Sequence, residues 1–200
     1  LSHKLSNGVG NYPTDPPVII KKNKNIDKDR TLLHEICFGT HSGTHMDAPS
    51  HIQKDGKTIS DFNINSFMGN AIRITPKSSN SLAKIDAEID TVIYDTRWYK
   101  KFDNPEIYFG KNRPKIPKSL INHCLKLKIK IFGCDLPSVD KSGSKNKIIH
   151  NMLLGNDVLI YESLNNLEQI PENTIFKFFG FPLHFEDLDG SPVRAVGVLE

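Results

Sequence analysis

Residues His41 to His51 read HSGTHMDAPSH, three imidazoles and one carboxylate in eleven positions of a 200-residue chain that has only 8 histidines. Neutral imidazole nitrogen and carboxylate oxygen are ligands that Zn²⁺ and Mn²⁺ accept. A catalytic site uses about three of them and leaves a position open for water. His41, His45 and Asp47 supply three, so the segment reads as a divalent-metal site. A lone histidine more often only packs or hydrogen-bonds; the density of this window is what points to a metal.

Backbone geometry restricts how these side chains can meet. A helix would align His41 with His45 but turn Asp47 about 240° from His41, since each residue advances about 100°. Pro49 would also interrupt it. His41, His45, Asp47 and His51 all have odd numbers, so a pleated chain aims them at one face. A straight strand, however, would put His41 about 33 Å from His51 at roughly 3.3 Å per residue. The chain must therefore bend, and Gly43 and Pro49 are the expected places.

The elements that position this segment have to come from one domain, because 200 residues suit a single core that needs neither disulfides nor a structural metal. A metal is thus not required for stability, which favours chemistry over a fold staple. Hydrophobic residues at 38% and charged residues at 24% are an ordinary globular balance. No run approaches the roughly 20 apolar residues of a membrane span. A net charge of +3 is spread along the chain, with no basic face interleaved with aromatics, so no nucleic-acid partner is expected. The richest basic run, Lys21 to Arg30, reads as a solvated surface loop. Cys37, Cys124 and Cys134 make an odd count without CxxC spacing, and each reads as a small core residue. The chain opens at Leu1 without a basic-then-apolar leader, which leaves upstream residues open and makes a cytoplasmic location the default.

Short apolar or β-branched runs predict strands at Val18–Ile20, Leu32–Phe38, Ala71–Thr75, Thr91–Tyr94, Ile129–Phe132, Val158–Tyr161, Ile175–Phe179 and Val193–Leu199. Apolar spacing after Pro117 predicts a helix through KSLINHCLKLK, and a second is expected from about Lys145 to Leu154, stopped by Gly155 at C′. No GxGxxG or GxxxxGK[ST] run follows a strand, so a nucleotide-binding sheet is unsupported. The expectation is a compact single α/β domain over residues 1–200 with a mixed β-sheet. Asp55-Gly56 and Asp189-Gly190 read as turns with a purely conformational role.

HSGTHMDAPSH fits the HxGTHxDxPxH signature, and through it the chain resembles the metal-dependent cyclase and hydrolase superfamily that includes bacterial kynurenine formamidase and isatin hydrolase. Leu1–Pro17, Phe132–Asp140, His150–Leu167 and Asp189–Val196 look like further blocks of that family, so nearly the whole chain is covered. The resemblance implies a swivelling β/β/α (cyclase-like) fold, assembled into homodimers or higher homo-oligomers. It implies His41, His45 and Asp47 as metal ligands and His51 as the catalytic histidine. His150 and Glu162 would complete a second metal position, with Asp47 bridging. One or two Zn²⁺ ions are implied, or Mn²⁺ as the alternative.

The chemistry that follows is hydrolysis of a small aryl or cyclic amide by metal-activated water, with His51 taking a proton and returning it to the leaving nitrogen. N-formylkynurenine is the substrate the resemblance puts first, although Thr14 stands where relatives commonly have glycine in a pocket-shaping segment. Tyr12, Phe62, Phe67 and Trp98 are the candidate aromatic lining. A serine nucleophile lacks a GxSxG elbow. The competing reading from a different class is a non-catalytic metal-binding or interaction protein on the same scaffold.

Overall fold

Four runs, Ala71–Ile74, Thr91–Tyr94, Ile131–Cys134 and Leu159–Glu162, are buried at every residue, as strands covered on both faces must be. The computed structural model describes residues 1–79, 82 and 88–199. In chain order its elements are β1 (Ile19–Lys24), α1 (Ile26–Asp29), β2 (Leu33–Cys37), β3 (His45–Asp47), β4 (Met68–Ile74), β5 (Thr91–Tyr94), α2 (Pro105–Tyr108), α3 (Lys118–Lys126), β6 (Ile131–Cys134), α4 (Ile148–Leu154), β7 (Leu159–Glu162), β8 (Ile175–Phe179), β9 (Gly190–Pro192) and β10 (Val196–Val198).

The main sheet runs β10-β8-β4-β5-β6-β7-β3-β9. β4, β5, β6 and β7 are parallel to one another, and the outer strands are antiparallel on both sides. Parallel neighbours need crossovers, and α3 and α4 supply two of them over one face. Even-numbered Ile72, Ile74, Val92, Tyr94, Phe132 and Ile160 pack on Leu120, Ile121, Cys124, Leu153 and Leu154 of those helices. Odd-numbered Ala71, Ile93, Ile131, Leu159 and Tyr161 face the second core, where the curled sheet closes with Met46, Phe176 and Phe178. The mixed α/β architecture expected from the sequence is the one found.

Several boundaries differ. The runs at 18–20 and 32–38 do not join the main sheet but pair with each other as an antiparallel arm, β1–β2, in which no residue is buried. The basic run from Lys21 is solvated, yet it is strand end and one-turn helix rather than loop. Cys124 and Cys134 are buried, but Cys37 lies exposed on this arm and is no core residue. Burial pushes the Cys124 thiol up to about 12 and the Cys134 thiol well above its usual range, so neither is a nucleophile. Gly155 ends α4 in the right-handed region (φ −66°), not as a left-handed C′; the left-handed residue is Asp157 (φ 58°). The strand runs also omitted β3 and β9, the two short strands that build the site.

Candidate metal centre and active site

β3 lies between β7 and β9, antiparallel to both, with His45 opposite Glu162 and Asp47 opposite Gly190. Two-residue spacing on a strand aims His45 and Asp47 at one face, while Met46 turns into the core. Directly opposed residues share a face, so Glu162 joins them. His41 and His51 arrive by turns at the two residues expected to bend. Gly43 has φ +61°, the left-handed region that favours glycine, and a Cβ there would also press on the Leu5 side chain. The chain folds His41 back until its Nδ1 lies 2.8 Å from Asp47 Oδ1. Pro49 opens a single 3₁₀ turn, Pro49–His51, which brings the His51 ring within 4.0 Å of His41 and 5.6 Å of His150. From the buried side of α4, His150 Nε2 comes 3.6 Å from Asp47 Oδ2 and 3.5 Å from Glu162 Oε1. The structure thus brings all six sequence-derived site residues together.

The outer nitrogens of His41, His45 and His150 are each held. His45 Nδ1 donates to the Gly43 carbonyl at 2.8 Å. His41 Nε2 lies 2.7 Å from Asp189 Oδ2, and His150 Nδ1 lies 2.7 Å from Asp140 Oδ2. A carbonyl or carboxylate on one nitrogen fixes the tautomer and leaves the other nitrogen's lone pair facing inward. The inward atoms stand 3.4 Å (His45 Nε2 to Asp47 Oδ1) and 3.5 Å (His45 Nε2 to Glu162 Oε2) apart. Such separations are long for hydrogen bonds, yet suit ligand atoms sharing a cation at about 2.0–2.2 Å. Asp47 Oδ2 is buried with no hydrogen-bond partner.

Charge balance agrees. Burial alone would lower the His41 pKa, but its hydrogen bonds to Asp189 and Asp47 outweigh that and raise it to about 10. His150, buried against Asp140 and Asp47, is raised in the same way to about 9. Burial of Asp47 disfavours its charge, and the imidazoles of His150 and His41 beside it still hold its pKa well below the usual carboxylate range. This cluster attracts positive charge, and a divalent cation would take the place of those protons. The donor set fits a metal of the Zn²⁺ or Mn²⁺ type.

His41, His45, His51, His150 and Glu162 open onto one cavity of about 260 Å³. The Cyclase family model matches residues 1–141. The chain belongs to the Cyclase family. It is 30% identical over 205 residues to a kynurenine formamidase of Geobacillus thermodenitrificans, covering 98% of this chain and 94% of that one. The kynurenine formamidase of Bacillus cereus is 26% identical over 204 residues with the same coverage. Among solved structures, isatin hydrolase A from Ralstonia solanacearum superposes with a TM-score of 0.87 at 19% identity, over 100% of this chain and 90% of that one. An isatin hydrolase bound to the product analogue thioisatinate gives 0.81 at 23% identity, over 96% and 87%. At those identities the structural likeness speaks for the fold.

In this Cyclase-family chain, sequence reasoning missed two carboxylates. Asp189-Gly190 is more than a turn, because Asp189 Oδ2 serves His41 Nε2 and also lies 3.2 Å from His51 Nδ1. Its pKa is held well below the usual range, chiefly by the His41 and His51 hydrogen bonds. A Cβ on Gly190 would meet His41 Cε1 at 2.7 Å, so glycine lets that ring approach. Asp140 was quoted only as part of a family block. The available signal was chemical: a metal-binding imidazole needs an acceptor for its other nitrogen. Of the four candidate aromatics only Tyr12 lines the cavity; Phe109, edge-on to it at 5.3 Å, is the second. Phe62 and Phe67 line a separate apolar pocket with Ile59 and Pro182, and Trp98 packs on the helix-side core with Nε1 donating to the Tyr108 carbonyl.

Proposed function

We propose that this protein is a metal-dependent hydrolase of a small aryl or cyclic amide, of the kynurenine formamidase type, acting on a carbon–nitrogen bond other than a peptide bond. The observation that carries the reading is the convergence of His41, His45, Asp47, His150 and Glu162, with the outer nitrogen of each imidazole already held. The similarity to kynurenine formamidases along 98% of the chain supports it. His41, His45 and Asp47 would hold one ion; Asp47, His150 and Glu162 would hold a second. Zn²⁺ is the first choice and Mn²⁺ the alternative.

When bound, the cation supplies activation of a water molecule and polarisation of the amide carbonyl. His51 moves the proton. With Nδ1–H held on Asp189, its Nε2 lone pair is free to take a proton from the attacking water and return it to the leaving nitrogen. Tyr12 and Phe109 flank the cavity where an aryl ring would lie. N-formylkynurenine heads the substrate list by kinship, which would place the enzyme in tryptophan catabolism. A cytoplasmic location goes with the free cysteines. Among the described residues no helix is long and apolar enough to cross a membrane.

The test is elemental analysis of the purified protein joined to a screen of N-formylkynurenine, formanilide, isatin and lactones. Turnover that a chelator abolishes and Zn²⁺ or Mn²⁺ restores is expected. Full metal occupancy without turnover of any member would favour the binding-module alternative. The same elemental analysis should find about two ions per chain, and about one in Glu162→Gln, which keeps the side chain's shape but loses a charged ligand.

A homodimer is also proposed, built on the β1–β2 arm. Ile19, Leu33 and Ile36 are 48%, 47% and 58% exposed on a ribbon with no buried residue, apolar surface of the kind a second copy covers. Light scattering should give twice the 22.6 kDa chain mass, and Ile36→Glu should shift the protein towards monomer.

A further inference from the structure

Arg113 presents a charge without a counterion. It is 4% exposed, lines the same cavity as His41, His51 and His150, and forms no ion pair with any described residue. One of its nitrogens, Nη2, donates to the Asp140 carbonyl at 2.6 Å. Its Nε and Nη1 are buried with no hydrogen-bond partner. A guanidinium is always charged and offers five N–H donors, and a buried charge left unpaired is costly. The contrast within the chain is Arg73, equally buried, whose Nε and Nη2 both donate to the Asp95 carboxylate at 2.9 and 2.6 Å. Arg113 has the same demand and, among the described residues, no such acid.

The other charges around the cavity do not meet it. Glu162 faces His45 and His150, Asp140 holds His150 Nδ1, and Asp15 accepts the Thr14 hydroxyl. Lys141 and Lys147, exposed on the same rim, make the approach more attractive to an anion. Because Arg113 is bonded to the peptide of the residue that holds His150, it stands one residue away from the candidate metal ligands. A ligand in so small a cavity can reach both.

We propose that Arg113 anchors a carboxylate on the substrate, so that the preferred substrate is a small amide carrying a carboxylate group away from the scissile bond. The proposal rests on the hydrolase reading for its amide and on Arg113 alone for its carboxylate. Two planar oxygens match the guanidinium fork, which makes a carboxylate a better fit than a neutral acceptor.

The test compares formanilide with 2-, 3- and 4-formamidobenzoate, the same amide with and without the carboxylate, on metal-loaded protein. At least one formamidobenzoate should exceed formanilide roughly tenfold in kcat/KM, the size of one charge-assisted hydrogen-bond pair. Arg113→Met should erase that preference through KM while formanilide turnover stays within about threefold, and Arg113→Lys should restore part of it. A wild-type enzyme without preference, or an Arg113→Met variant that loses both substrates equally at full metal content, overturns the anchor and leaves the hydrolase. Calorimetry covers a protein that turns over neither, or a variant that fails to fold. Isophthalate, with a carboxylate to spare, should bind wild type about tenfold tighter than benzoate. That preference without any turnover would keep the anchor and sink the hydrolase; equal binding sinks the anchor.

Discussion

Asp47→Asn should yield a folded protein that holds no metal and hydrolyses nothing above background. The reason lies in how much one carboxylate does. Asp47 is 1% exposed, its Oδ1 is shared between His41 and His45, and its Oδ2 faces His150 with no hydrogen-bond partner. Asparagine keeps the shape, so β3 and its two ladders should survive. But the amide has no net charge and turns one end into a donor, aimed where a ligand lone pair is needed. Both proposed ion positions lose the same anionic ligand at once. The fall in metal affinity should exceed the 10–100-fold that follows loss of an outer carboxylate, a benchmark that Asp140→Asn supplies in the same protein. Elemental analysis after dialysis, with thermal melting as the control for folding, decides it. An Asp47→Asn protein that retains its full metal complement would remove Asp47 from the ligand set.

The difference between Asp47 and Asp140 is also the difference between what could and could not be read from the chain. HSGTHMDAPSH is a local pattern: four functional side chains sit within one turn, one short strand and one 3₁₀ turn, so spacing and the need to bend at Gly43 and Pro49 were enough. β5, β6, β7 and the buried half of β4 were legible because buried strands write themselves as apolar runs, β8 because Phe176 and Phe178 alternate with exposed residues, and α3 because its apolar residues recur at helical spacing on one side. β3 and β9 were not, since three residues such as HMD or GSP carry no period. What makes HMD a strand is its partners Ile160–Glu162 and Gly190–Pro192, far along the chain. Asp189 fails to show for the same reason, since it is 148 positions from His41; Asp140 is only ten from His150, but nothing in the local pattern says that its side chain turns back to that ring. The turn conformation of Asp189 was visible in Asp-Gly, whereas the direction of its side chain was not. That β1 and β2 form a separate arm was not legible, because they have ordinary strand composition, and composition does not say which sheet a strand joins.

His51→Ala should lower kcat by about 10²–10⁴-fold while metal content stays at the wild-type level. Position alone does not give His51 its role, since its ring nitrogens lie close enough to Asp47 and His150 for it to count as a ligand too. What separates the roles is Asp189. A ligand imidazole in this site sends one nitrogen outward to an acceptor and one inward to the acids; His51 sends Nδ1 to the same Asp189 oxygen that holds His41, and on the proposed reading its Nε2 carries the proton rather than the metal. Asp189→Asn should therefore act on two functions together. Its remaining side-chain oxygen can orient one imidazole but not balance two, so metal affinity should fall by about 10–100-fold through His41, with a further kcat loss at saturating metal through His51. In His51→Ala only the kcat loss should be seen. If that variant instead loses metal in proportion to activity, His51 is a ligand, and the proton must be carried by another group. If it keeps both metal and turnover, no proton passes through His51 at all.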